Sequence, residues 1–141
     1  MRRFLVLIAC LGTVFSLPGA ALAGVLAQID LSSQRMHVYV DGKPTYTWKV
    51  STARPGYRTP TGTYKPYSLA RYHRSTIYNG SPMPYSIFFK GGYAIHGTNY
   101  VKSLGAPASH GCVRLHTANA RELYNLTRAV GPKNMRVVIT R

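Results

Sequence analysis

"HGTNYVKSLGAPASHGCVRL", residues 96–115, holds His96, His110 and Cys112 in a stretch otherwise made of small, polar and loop-forming residues. His96 lies near the end of "GYAIHG" (92–97), a run that reads as a strand. A loop containing Gly97, Gly105 and Pro107 then leads to Ser109-His110-Gly111-Cys112. A strand end followed by a loop is where a scaffold exposes functional groups. Gly111 lets the backbone bend or a ligand approach closely, so that amides beside the sulfur can converge on an oxyanion. A thiol becomes a useful nucleophile at neutral pH when a base or a cation stands next to it. Both His96 and His110 qualify as that base. Residues two apart on an extended segment share a face, so His110 can sit beside Cys112, and spacing alone leaves the choice open. Arg114, two residues beyond Cys112, is similarly placed to grip a carboxylate through its guanidinium fork.

Outward from this stretch, the chain begins with Met1-Arg2-Arg3, an apolar run from Phe4 to about Phe15, and "LPGAALAG" with Ala21 and Ala23 flanking Leu22. Residues 1–23 therefore read as a secretory signal peptide cleaved after Ala23, placing residues 24–141 as one exported domain in the periplasm or cell envelope. The apolar run is too short for a membrane span. A lipidation reading of Leu7-Ile8-Ala9-Cys10 leaves a hydrophobic region of only about six residues. Cleavage would remove Cys10 and leave Cys112 without an intramolecular disulfide partner. In an oxidising compartment a leftover cysteine points to an intermolecular bond or a reactive thiol. A buried, inert Cys112 is the plain alternative.

Without Arg2 and Arg3 the domain has 16 basic residues against three acidic ones, Asp30, Asp41 and Glu122, a charge of about +13 that attracts polyanions. Export argues against nucleic acid and leaves acidic lipid headgroups or a carboxylate-bearing wall polymer as partners, with a merely solvated basic surface as the plain alternative. The basic residues are scattered, and "RYHR" (71–74) is the only tight cluster. Scarcity of acids excludes more than the excess of bases proves. A glycoside hydrolase needs two facing carboxylates, and hydrolytic metal sites commonly draw on Asp or Glu. A zinc site from His96, His110, Cys112 and His116 fits none of the usual ligand spacings. No cofactor or metal is called for.

Short apolar stretches with turn punctuation predict a mainly β fold. "MHVYV" (36–40) and "PTYTWKV" (44–50) flank Asp41-Gly42, a strong hairpin signal. Further strands are expected at 61–69, 85–90, 92–97 and 135–140. One helix of any length is predicted over Asn119–Val130, where Ala120, Leu123, Leu126 and Val130 share a face. Asn119 and Glu122 are spaced for a capping box, and Gly131-Pro132 supplies a stop.

His96 with Ser109-His110-Gly111-Cys112-Val113-Arg114 resembles the signature of the L,D-transpeptidase catalytic domain family, also called YkuD-like. The likeness extends through "IDLSSQRMHVYVDGK", "STARPGYRTPTGTY" and "MPYSIFFKGGYAIHGT", in the family's order. The resemblance implies a compact β-sandwich acting on peptidoglycan stem peptides. It makes Cys112 the nucleophile and His96 the base, and it places the oxyanion hole at the amides of Gly111 and Cys112. The third partner becomes the main-chain carbonyl of Gly97. Ser109, His110 and Arg114 would shape the pocket, and Met83 and Tyr85 would line the substrate cleft. The implied reaction forms 3→3 cross-links through a thioester, with release of D-Ala. Resolution by water would instead make a carboxypeptidase or endopeptidase, and a protein amine would attach an outer-membrane protein to the wall. A noncatalytic wall-binding module is the alternative from a different class. The loop between His96 and Ser109 is short for the family, and no wall-binding repeat precedes the domain.

Overall fold

The computed structural model describes residues 23–141. The signal peptide read over residues 1–23 lies, except for Ala23, outside the described residues. Two sheets carry the fold. The first runs β3-β2-β1-β9-β4 and the second β5-β6-β7-β8. In chain order the strands are β1 (Val25–Asp30), β2 (Arg35–Val40), β3 (Lys43–Lys49), β4 (Gly62–Tyr64), β5 (Ser68–Arg74), β6 (Pro82–Lys90), β7 (Tyr93–Thr98), β8 (Val113–His116) and β9 (Met135–Thr140). Among the described residues the single α-helix, α1 (Thr117–Val130), lies between β8 and β9 in sequence. Among the described residues no helix is long and apolar enough to cross a membrane.

Period-two patterning makes the core. Val25, Ala27 and Ile29 of β1 are buried while the residues between them are only half-buried, and Met135, Val137 and Ile139 of β9 repeat the pattern in parallel register. From the second sheet, Ile87, Phe89, Ile95, Val113 and Leu115 join the same cluster. Helix α1 adds Ala120, Leu123 and Tyr124. Each fully buried Val, Leu or Ile side chain contributes about 1.5–3 kcal/mol relative to exposure. The β2–β3 hairpin turns where the sequence places it: Asp41 and Gly42 have φ of 50° and 76°, as a type I′ turn requires. The Asp41 carboxylate also accepts the Gly24 N–H at 2.8 Å, tying the start of the domain to that turn.

Three expectations change. The strand expected over 61–69 is two strands in different sheets, β4 beside β9 and β5 beside β6. Lys65-Pro66-Tyr67 makes the crossing, and the buried Pro66 has no N–H to continue a ladder. Helix α1 starts two residues before the predicted point, at Thr117. His116 Nδ1 accepts the Ala118 N–H at 3.2 Å in place of an Asn119 cap. Glu122 is drawn across the molecule instead, accepting the Tyr46 hydroxyl at 3.2 Å. Strand β8 was not anticipated, and it is the strand that places the cysteine.

Candidate active site

Strands β7 and β8 run parallel, with His96 in register with Arg114 and Ile95 with Val113. Register partners project to the same side of a sheet and alternate residues share a face. Val113 and Leu115 therefore point into the core, while Cys112 and Arg114 share the face of His96. Next to β8 the chain is pinned by a reciprocal pair of backbone hydrogen bonds between Ser51 and Arg114, at 3.0 and 2.9 Å. The outcome is a cleft of about 520 Å³ whose lining includes Met83, His96, Gly97, Ser109, Cys112 and Arg114. His110 and Tyr78 line it too.

His96 is 5 % exposed. Its Nδ1 lies 2.8 Å from the Gly97 carbonyl oxygen. A carbonyl only accepts, so Nδ1 carries the proton and, in the neutral ring, Nε2 keeps its lone pair. Burial pushes the imidazole pKa down to about 4, partly opposed by the Gly97 bond and assisted by the Arg114 and His73 charges. The ring is neutral at pH 7 and able to take a proton. Cys112, partly buried, has no disulfide partner among the described residues. Its Sγ is 3.8 Å from the Gly92 carbonyl oxygen. Burial raises the thiol pKa, against a backbone hydrogen bond at Ala94 and the Arg114 charge, which lower it. Thiol and neutral imidazole are thus the resting forms.

Ser109 is completely buried and braces the loop. Its Oγ donates to the Cys112 carbonyl at 2.6 Å and accepts the Gly111 N–H at 3.0 Å. The Gly111 amide, expected to face an oxyanion, is therefore already engaged. Gly111 serves close packing: its φ is 137°, and a Cβ there would stand 2.6 Å from Tyr93 Cε1 and 2.9 Å from the Arg58 carbonyl oxygen. Behind it, the buried Thr59 donates from Oγ1 to the Gly111 carbonyl at 2.8 Å and accepts the Ala53 N–H at 3.0 Å.

The two histidines that spacing could not separate differ in surroundings. His110 Nε2 lies 2.9 Å from Arg54 Nη2. Guanidinium only donates, so that nitrogen of His110 is occupied. Its ring stacks on Tyr78 at 4.1 Å and meets the edge of Tyr57 at 4.7 Å. Partial burial and the neighbouring Arg54 and Arg114 charges lower its pKa. Met83 lines the cleft, but Tyr85 is not among its lining residues. Tyr85 has φ of 55° in β6, and its ring packs edge-on to Tyr124 at 5.6 Å with the Arg71 guanidinium 5.9 Å from its centroid. Positive φ breaks the alternation that would have put Tyr85 on the Met83 side. Thr59, Arg54, Tyr57 and Tyr78 were not singled out from sequence. Thr59 and Arg54 fall in the quoted segment "STARPGYRTPTGTY", yet nothing in their spacing announces contacts made some fifty residues away.

Fold and site define a small two-sheet domain that presents an unpaired thiol and a buried, uncharged imidazole in one cleft. The chain belongs to the L,D-transpeptidase catalytic domain family, YkuD, whose family model matches residues 24–139. That family acts on peptidoglycan. The chain is 27% identical over 119 residues to YkuD of Bacillus licheniformis, covering 79% of this chain and 63% of the relative. Among solved structures, an L,D-transpeptidase from Mycobacterium smegmatis superposes with TM-score 0.75 at 25% identity, over 84% of this chain and 59% of that one. The L,D-transpeptidase of Stackebrandtia nassauensis gives TM-score 0.73 at 27% identity, over 92% and 61%. The chain thus spans about three fifths of the length of the relatives it matches.

Proposed function

We propose that the domain is a cysteine L,D-transpeptidase that forms 3→3 cross-links between peptidoglycan stems. The Cys112 sulfur attacks the carbonyl of the third residue, a diamino acid, of a tetrapeptide donor stem while His96 Nε2 takes the thiol proton. The Cys112 amide meets the developing oxyanion. The C–N bond to D-Ala breaks, and the imidazolium returns its proton to the leaving amine. The thioester then passes to the side-chain amine of a second stem, and that amine's proton leaves through His96. Arg114 holds a donor carboxylate, His110 and Ser109 shape the loop, and Met83 lines the donor path. The observation that carries this reading is the neutral, Nδ1-protonated His96 in the cleft that holds Cys112.

One observation favours a second reading, hydrolysis of the same thioester by water. The cleft lining contains no Asp or Glu that could hold an incoming ammonium. Incubating the purified protein with tetrapeptide muropeptides and identifying products by mass spectrometry separates the two. A dimer lacking one D-Ala is expected. A tripeptide product would assign an L,D-carboxypeptidase, and no product in excess of a Cys112→Ala control would refute both.

A further inference from the structure

Behind the cysteine loop lies a second cavity, of about 410 Å³, that shares no lining residue with the cleft. Arg54, Arg58 and Arg141 edge it, and Leu31, Pro55 and Pro107 supply an apolar wall. Ser32 and Tyr57 bring hydroxyls, and no Asp or Glu lines it. The acid nearest in sequence, Asp30, is spent locally: its carboxylate accepts the Ser32 N–H, the Ser32 hydroxyl and the Ser33 N–H at 2.8, 2.6 and 3.3 Å. The Arg54 guanidinium is steadied by the Tyr57 ring, 5.0 Å from its centroid.

The cavity and the cleft stand back to back. Arg54 and Tyr57 of the second cavity touch His110 of the first, and Thr59, which also lines the second, holds the Gly111 carbonyl. The space is larger than a single ion needs, and guanidinium forks beside apolar surface suit a planar carboxylate carried on a short aliphatic arm. Peptidoglycan stems present that group repeatedly.

We propose that this cavity binds a carboxylate-bearing stem of the wall other than the one being processed, holding the domain on its polymer between turnovers. The inference rests on the family's peptidoglycan substrate and not on which acceptor resolves the thioester. It is tested with the inactive Cys112→Ala protein by cosedimentation with purified sacculi. Adding Arg58→Gln with Arg141→Gln is expected to weaken binding about tenfold, as loss of charge-assisted hydrogen bonds would. Lys43→Gln with Lys133→Gln removes the same charge outside both cavities and is expected to weaken it less than about twofold. Equal weakening by the two pairs would reduce the effect to diffuse attraction and overturn the site. Sacculi whose carboxylates have been converted to amides should no longer distinguish the cavity pair from the parent. A persisting difference would assign another anion, such as wall phosphate, and overturn the carboxylate. If the cavity pair fails to fold, the Cys112→Ala protein labelled with 15N is titrated with a soluble disaccharide tripeptide. Amide shifts at Ser32, Ala53 and Arg58 are expected, and shifts confined to the cleft would refute the proposal. Absence of turnover in the muropeptide assay would sink the transpeptidase reading without touching these binding outcomes.

Discussion

Burial of His96, helped by the nearby Arg114 charge and only partly opposed by the Gly97 carbonyl at Nδ1, keeps the ring uncharged far below the pH at which an exposed imidazole protonates. The sign is set by which form burial disfavours. The folded pKa is about 4, below the ordinary value of about 6.5, so the native state binds fewer protons between those limits. Stability contributed by this residue is present above pH of about 6.5 and is lost as pH falls towards the folded value of about 4. As proposed base, His96 should leave kcat/KM flat from neutrality down to about pH 5, with the acid limb near its folded pKa of about 4. A limb near 6.5 that disappears in His96→Gln would mean the ring is solvated. Cys112→Ser should lose turnover by roughly 10³-fold or more, because a hydroxyl is far harder to ionise than a thiol. Gly111→Ala tests the loop directly. Its Cβ would strike Tyr93 and the Arg58 carbonyl at a φ that other residues rarely adopt. The melting temperature should fall, reflecting strain of about 1–3 kcal/mol, together with the rate of Cys112 alkylation. Unchanged melting would show that the loop relaxes freely.

Thr59 joins the 52–59 segment to the cysteine loop through a single hydroxyl that accepts from Ala53 and donates to Gly111. Thr59→Val keeps the shape and leaves a buried N–H and C=O without that partner, at a cost of about 1–3 kcal/mol. Because the loop holding the proposed nucleophile moves, kcat should fall more than KM rises. Loss of stability with kinetics unchanged would confine Thr59 to folding. At this scale the limits of sequence reading are physical. Strands β2, β3, β6, β7 and β9 were legible because alternation and turn residues are local, and Cys112 and His96, which stand out by side-chain chemistry alone, lie in one cleft. Strand β8 was hidden because its four residues follow a loop punctuated by Gly105, Pro107 and Gly111 and are held by partners distant in sequence, β7 on one side and Ser51 on the other. The helix start moved because His116 caps in place of Asn119. Tyr85 turned away from the cleft because a positive φ inside β6 defeats period-two reasoning. Thr59, Arg54 and Tyr57 reach the cysteine loop only across the fold, so no neighbour in sequence marks that role.

Across the molecule, one core serves both sheets. Val25, Ile29, Val38 and Val137 of the first and Ile87, Ile95, Val113 and Leu115 of the second belong to a single cluster, which Leu123 of α1 also enters. The site depends on this because β7 and β8 bury residues in that cluster while carrying His96 and the cysteine loop. A shared core predicts that neither sheet melts alone, and the molecule carries a reporter for each. Trp48, the only tryptophan, lies in β3 of the first sheet and stacks on Tyr46 at 4.7 Å. Cys112, next to β8, reports on the second through its reactivity with a thiol reagent. Tryptophan fluorescence and Cys112 labelling should therefore trace one urea transition with the same midpoint. Leu123 is fully buried, so Leu123→Ala should cost about 2–5 kcal/mol and move both midpoints down together. If Cys112 became reactive well before Trp48 changed, the sheet that carries the cleft would be a separate unit, and stability could no longer be argued from a core common to both.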